Sequence, residues 1–188
     1  MEQKAFSMGV RIEHLQSDIN ESQYGHFAKY LDAADYKMAV HLKSGRSVYT
    51  FCMCPGGRVI ASASEKGTVV TNGMSYFARD GKNANSALLV SVMPEDFKSS
   101  DVLAGVYLQR DVEKRAFIAG GENYFAPSQT VGELLGIRGG EKVAPTYLPG
   151  VKNTSLDNIF PAFVMDSIKE ALPLMDKKLK GFASPGAV

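Results

Sequence analysis

From Phe6 to His14 the residues Val10, Ile12 and His14 alternate with Gly9, Arg11 and Glu13, the period of a strand with one covered face. Ser17, Asp18 and Glu21 then predict a short capped helix ending near Gly25. Two β-prone runs, Tyr36 to Leu42 and Ser47 to Cys54, flank the turn-rich Lys43-Ser-Gly-Arg46 and predict a hairpin. Further turns at Pro55-Gly56-Gly57 and Glu65-Lys66-Gly67, with Asn72-Gly73 closing the series, predict an antiparallel meander of about four strands. Ser86 to Met93 is apolar at nearly every position, which reads as a strand covered on both faces.

The second half has a helical period. Val102, Leu103, Val106, Tyr107, Ala116 and Phe117 predict a helix over 99–117, stopped by Gly120-Gly121. Thr130 to Leu135 predicts a shorter one before Gly136, and Glu95 with Asp96 after Pro94 reads as a cap. Pro161 opens a last helix that Pro173 is expected to end or kink, and 136–154 is the expected long loop. Strands first and helices later, without βαβ alternation, define an α+β fold: an antiparallel sheet with helices packed on it, one domain over residues 1–188.

Composition narrows the function classes. Lys and Arg number 21 against 20 Asp and Glu, so a general nucleic-acid binder is disfavoured. No apolar run is long enough to span a bilayer, and the start has no secretory h-region, which together with two cysteines makes the cytoplasm the expected compartment. The turn-like end over 181–188 gives the look of a piece cut from a longer chain.

Three chemistries are open at FCMCPGG, residues 51–57. A zinc site needs a second ligand pair, and His14, His26 and His41 are scattered. A redox disulfide is disfavoured because residues two apart in a strand lie at the limit of disulfide reach. A phosphate loop lacks both glycine fingerprints and a following helix start. The expectation is a strand running out to a turn, with Cys52 a small hydrophobe in the core, and with Gly56-Gly57 serving either the turn or close approach to a ligand. The stronger working surface is 71–75 with 79–85, where amides, Arg79, Lys82 and glycines join Met74, Tyr76 and Phe77 on what reads as loop.

The phrases FSMGVRIEH, YKMAVHLKSGRSVYTFCMCPGGRVIASASEKGTVVTNGMSYFARDGKNANSALLVSV, APSQTVGELL, PTYLPGV and ALPLMDKKLKGF resemble, in that order, the uncharacterised bacterial FAD-dependent dehydrogenases, predicted NAD(P)/FAD-dependent oxidoreductases. The resemblance implies an inserted or C-terminal substrate domain that covers the flavin, with the FAD-binding domain as its missing partner and a small molecule as substrate. FAD is the implied cofactor of the longer protein and NAD(P)H its redox partner. The 188 residues alone, lacking G-x-G-x-x-G, are expected neither to hold FAD nor to be active. Within that frame the flavin-facing residues are Cys54, Gly56, Gly57, Asn72 and Gly73, and the substrate-facing ones Met74, Ser75, Arg79, Lys82, Asn83 and Asn85. No catalytic residue and no metal ligand is assigned. The alternative class is a non-enzymatic interaction module, for instance RNA-associated, on the lysines of 175–180.

Overall fold

A computed structural model describes all residues, 1–188. The fold is α+β: a five-stranded antiparallel sheet built early in the chain, with helices added later. Strands β1 (Phe6–Leu15), β2 (Ala39–His41), β3 (Ser47–Ala61), β4 (Thr71–Ser75) and β5 (Asn83–Val92) form the sheet in the order β1-β5-β3-β2, with β4 paired to β3. The helices are α1 (Gln16–Tyr24), α2 (Ala104–Gly120), α3 (Val131–Leu135) and α4 (Ala162–Asp176). A short parallel pair, β6 (Ala126–Ser128) with β7 (Val151–Asn153), organises part of the expected long loop.

The alternation read in β1 sets the two faces of the sheet. Met8, Ile12 and His14 pair across to Val90, Ser86 and Ala84, while Val48 and Thr50 continue the row through β3. All of these are buried. Helix α4 covers this face with Val164, Ile168, Leu172 and Met175, spaced at one turn of helix and each essentially inaccessible. Pro173 neither ends nor breaks α4: it lies on the exposed side, where its ring meets no packed neighbour and the freed carbonyl is not sealed in the core. The ring of Phe182 closes the lower end, packing on His14 at 4.9 Å and on Tyr36 at 5.5 Å between centroids.

Helix α1 ends at Tyr24 before Gly25 as expected but starts at Gln16 with no side-chain cap, since Ser17 and Asp18 lie inside its first turn, while α3 keeps the expected bounds. Thr130 and Glu133 form a reciprocal capping box on α3, and Gly136 ends it in the left-handed conformation. Asp96 takes the amide of Met93 at 2.8 Å, the expected cap, and also receives a forked pair from Arg46 at 2.6 and 2.8 Å. That pair holds the Asp96 carboxyl below the usual carboxylate range. Helix α2 begins five residues later than the periodicity predicts and runs three further, to Gly120.

The clearest departure is at Pro55-Gly56-Gly57, which is not a turn. β3 runs through it for fifteen residues, with register shifts against β5 between Phe51 and Cys54 and again between Cys54 and Gly57. Two such irregularities bend a strand sharply. Beyond the bend, β3 carries β4 back over the second face of the sheet. Two strands separate β4 from β1 in the pairing order, yet the two touch. The expected loop over 79–85 is likewise shorter than predicted: Asn83 and Asn85 belong to β5, and both are buried.

Candidate functional site

The second face carries Arg11 and Glu13 from β1 opposite Ala87 and Asn85 of β5. In an open sheet such residues would be solvated. Here the fold-back of β3 and β4 roofs them, and most of the polar groups are answered inside the domain.

Glu13 is buried and receives three hydrogen bonds: from the Thr146 amide at 2.9 Å, the Thr146 hydroxyl at 2.6 Å and the Asn83 side-chain amide at 2.9 Å. The Asn83 amide also donates to the carbonyl of Ala144 at 2.9 Å, and Thr146 Oγ1 accepts the Val59 amide at 2.8 Å. One carboxylate thus fastens the loop before β7 to both β1 and the bent end of β3. Asn83 therefore belongs to the support of the site.

Arg11 is half-buried and stands one residue pair further along. Its Nε donates to Asn85 Oδ1 at 2.9 Å and its Nη2 to the carbonyl of Cys52 at 2.7 Å, with Asn72 Oδ1 at 3.5 Å from Nη1 and the Cys54 sulfur at 3.8 Å from Nη2. Every one of these acceptors is neutral, and no carboxylate pairs with Arg11. Burial lowers its pKa, as for any desolvated cation, but a guanidinium begins so high that it keeps its charge at neutral pH. The side-chain nitrogen of Asn85, Nδ2, is buried with no partner at all. A positive charge held by dipoles, beside an unanswered donor, favours electron-rich groups.

Cys52 does not hold the place expected of it. Cys52, assigned to the core, is exposed, and adopts φ 47°. The cause is the register shift that begins after Phe51: an irregular residue leaves the alternation, and its carbonyl turns to Arg11. Cys54 is half-buried beside Arg11, its thiol pushed up by burial, so it is a neutral thiol at physiological pH.

The glycines fill a structural need. Gly56 has φ 53°, its amide donates to Gln16 Oε1 at 2.7 Å, and a Cβ there would come within 1.9 Å of the Arg79 carbonyl oxygen. The close approach that Gly56 permits is thus to the chain's own 79–81 loop, and Gly57 is equally enclosed, by Met74 and Ser75. At Gly73 a Cβ would lie 2.2 Å from Arg11 Nη2 and 2.5 Å from Asn85 Oδ1, so glycine leaves the room these two side chains occupy. Ser75 turns its hydroxyl to the Pro55 carbonyl at 2.7 Å.

The residues singled out from the sequence therefore divide in two. Asn72, Met74, Arg79 and Lys82 form an exposed rim; Cys54, Gly56, Gly57, Gly73, Ser75, Asn83 and Asn85 are the packed layer beneath it. Around the rim stand Phe51, Tyr76 and Phe77, the last fully exposed at 105%, with Arg58 over the Tyr76 ring. Exposed aromatic rings gathered beside a cation are the composition of a contact surface. Sequence reading missed Arg11, Glu13, Gln16, Phe51 and Thr146, because each owes its place to partners far along the chain; the only signal was the strict polar alternation in β1.

Tested against a flavin, this donor set fits one part of the cofactor. Arg11 and the Asn72 amide suit the electron-rich edge of an isoalloxazine, and the rim rings suit its apolar plane. The pyrophosphate finds no glycine-rich helix start to receive it, since α1 follows β1 directly at Gln16.

Comparison with known proteins gives the family. The family model described as FAD-dependent protein, C-terminal domain-like, matches residues 5–188. A protein of Clostridium beijerinckii, described only as uncharacterized, is 50% identical over 194 aligned residues that take in all of this chain, and the chain spans 36% of that relative's length. The chain belongs to the family of C-terminal domains of FAD-dependent proteins, and is one domain of a longer protein for which FAD is the implied cofactor.

Proposed function

We propose that this domain closes over the flavin of its parent protein and shapes the pocket in which substrate meets the ring. The observation that carries this reading is Arg11: a half-buried guanidinium with neutral partners only, bonded to the backbone of the exposed Cys52 and in reach of the exposed Asn72. When bound, the flavin supplies the two-electron redox chemistry, and the protein contributes placement, electrostatics and exclusion of water. Arg11 would hold negative charge on the flavin's pyrimidine edge or on an anionic substrate group, while Asn85 fixes the guanidinium from behind. Asn72 would orient the bound group by its amide. Phe51, Met74, Tyr76 and Phe77 would keep water from the ring, and Arg79 with Lys82 would draw an anionic substrate in. The parent protein is, on this reading, a cytoplasmic oxidoreductase of the dehydrogenase kind with NAD(P)H as redox partner.

The test uses the full-length, FAD-loaded parent. Replacing Tyr76 and Phe77 together by alanine is expected to raise iodide quenching of flavin fluorescence several-fold, with the melting temperature within about 3 °C of the parent's, since both rings are exposed. A parent protein that binds no FAD, or a double variant whose flavin is quenched as before, would overturn the reading.

A further inference from the structure

The outer edge of β1 is unfinished. Glu13 donates its amide to the carbonyl of Val188 at 2.6 Å and receives the Val188 amide at 3.2 Å. One residue pair exchanging both bonds is the signature of antiparallel pairing, and it shows that the backbone groups of Glu13 point away from β5. By the same alternation those of Ser7, Gly9 and Arg11 point outward too. None of them has a partner outside the sheet ladder. An edge strand with a free row of donors and acceptors is a template for another strand.

Beside that edge lies a cavity of about 420 Å³. It is lined by every residue from Phe6 to Glu13, which a pocket on one face of a strand could not achieve, because only alternate residues would reach it. The cavity therefore runs along the edge itself as a slot. Its walls are mainly apolar on both sides, with Val59, Val69 and Val112 toward the polar face and Phe160, Ile168 and Leu172 toward the buried one.

We propose that in the full-length protein this slot is filled by the chain that follows Val188, laid as an extended strand antiparallel to β1. The Glu13–Val188 pair sets both direction and register. The second, fourth and sixth residues after Val188 fall opposite Arg11, Gly9 and Ser7 and take up their backbone bonds. Because both walls are mainly apolar, the added strand carries apolar side chains on both faces, as a strand buried on two sides does. It becomes the sixth strand of the sheet, and it passes directly behind Arg11, joining the domain mechanically to the rest of the parent chain. Pairing of this kind draws its affinity from backbone bonds and its register from the side-chain pockets. The inference rests on the free edge and the slot, and stands independently of which face meets a flavin.

Hydrogen exchange of the full-length protein, read by mass spectrometry on the segment 6–15, tests it. The amides of Ser7, Gly9 and Arg11 are expected to exchange as slowly as those of the central strand β5, at least about a hundredfold slower than free edge amides. Proline at the fourth position after Val188 should release the Gly9 and Arg11 amides while those of β5 stay protected. Fast exchange at Gly9 and Arg11 in the unaltered full-length protein would overturn the proposal, a result that does not depend on whether the proline variant folds. So would a parent chain that ends at Val188, or an apolar dye that binds in the slot of the full-length protein.

Discussion

The two faces of one sheet are built from alternate residues of the same strands, and they solve opposite problems. On the face under α4, His14, Tyr36 and Phe182 bring polar atoms into an apolar core and satisfy most of them: His14 Nε2 meets the Phe182 carbonyl at 2.8 Å, and the Tyr36 hydroxyl meets Ser86 at 3.0 Å. On the face under β4, Arg11 keeps a charge with no carboxylate in salt-bridge contact, the Glu13 carboxylate being taken up by Thr146 and Asn83. The first face carries no charge that lacks a partner, whereas the second holds the Arg11 guanidinium among neutral acceptors. The lesson is that burial alone does not mark a site; charge left without its counterpart does.

The contrast can be broken at four points. Phe182→Ala removes a fully buried ring from the face under α4, and should cost about 3–5 kcal/mol of unfolding free energy in chemical denaturation. Glu13→Ala should cost about 3 kcal/mol by the same measurement, because Asn83 and both donors of Thr146 lose their acceptor inside the fold. If it costs under about 1 kcal/mol, the Glu13 network is not what fastens the loop before β7 to the sheet.

The third point is acid. Burial holds the His14 imidazole below its ordinary 6.5, and its Nδ1 has no partner. Below about pH 6.5 the unfolded chain takes up a proton that the folded one refuses. His14 therefore contributes full stability above that pH, and the contribution is lost as pH falls toward the depressed folded value, by at most about 1.4 kcal/mol per pH unit. Denaturation midpoints from pH 7 to pH 5 should follow that slope, and His14→Gln, which keeps a donor for the Phe182 carbonyl, should flatten it. The smallest effect on stability belongs to Arg11→Met, about 1 kcal/mol, since the side chain is half-exposed and replaced by one of similar reach.

Much of the face under α4 was legible in the sequence, because it obeys local rules. Alternation in β1, the short helix from Thr130 stopped by Gly136, the Asp96 cap and the helix after Pro161 each follow from neighbours a few residues apart. The polar face obeys distant ones. Arg11 acquires its meaning from Cys52, Asn72 and Asn85, at separations of 41, 61 and 74 residues. Pro55-Gly56-Gly57 has the composition of a turn, yet tertiary pairing to β4 and β5 keeps it in a strand and turns the irregularity into a bend. Asn83 and Asn85 have loop-like chemistry for the same reason: amides are common in turns until a buried carboxylate or guanidinium claims them.

The central claim is that Arg11 stands where negative charge develops on a bound flavin. The direct measurement is the two-electron reduction potential of FAD in the full-length parent and in Arg11→Met. Removing the guanidinium should make the potential more negative by about 30 mV or more, a tenfold or larger loss of preference for the reduced form, with the melting temperature nearly unchanged. An intact variant whose flavin potential equals that of the parent would contradict the account.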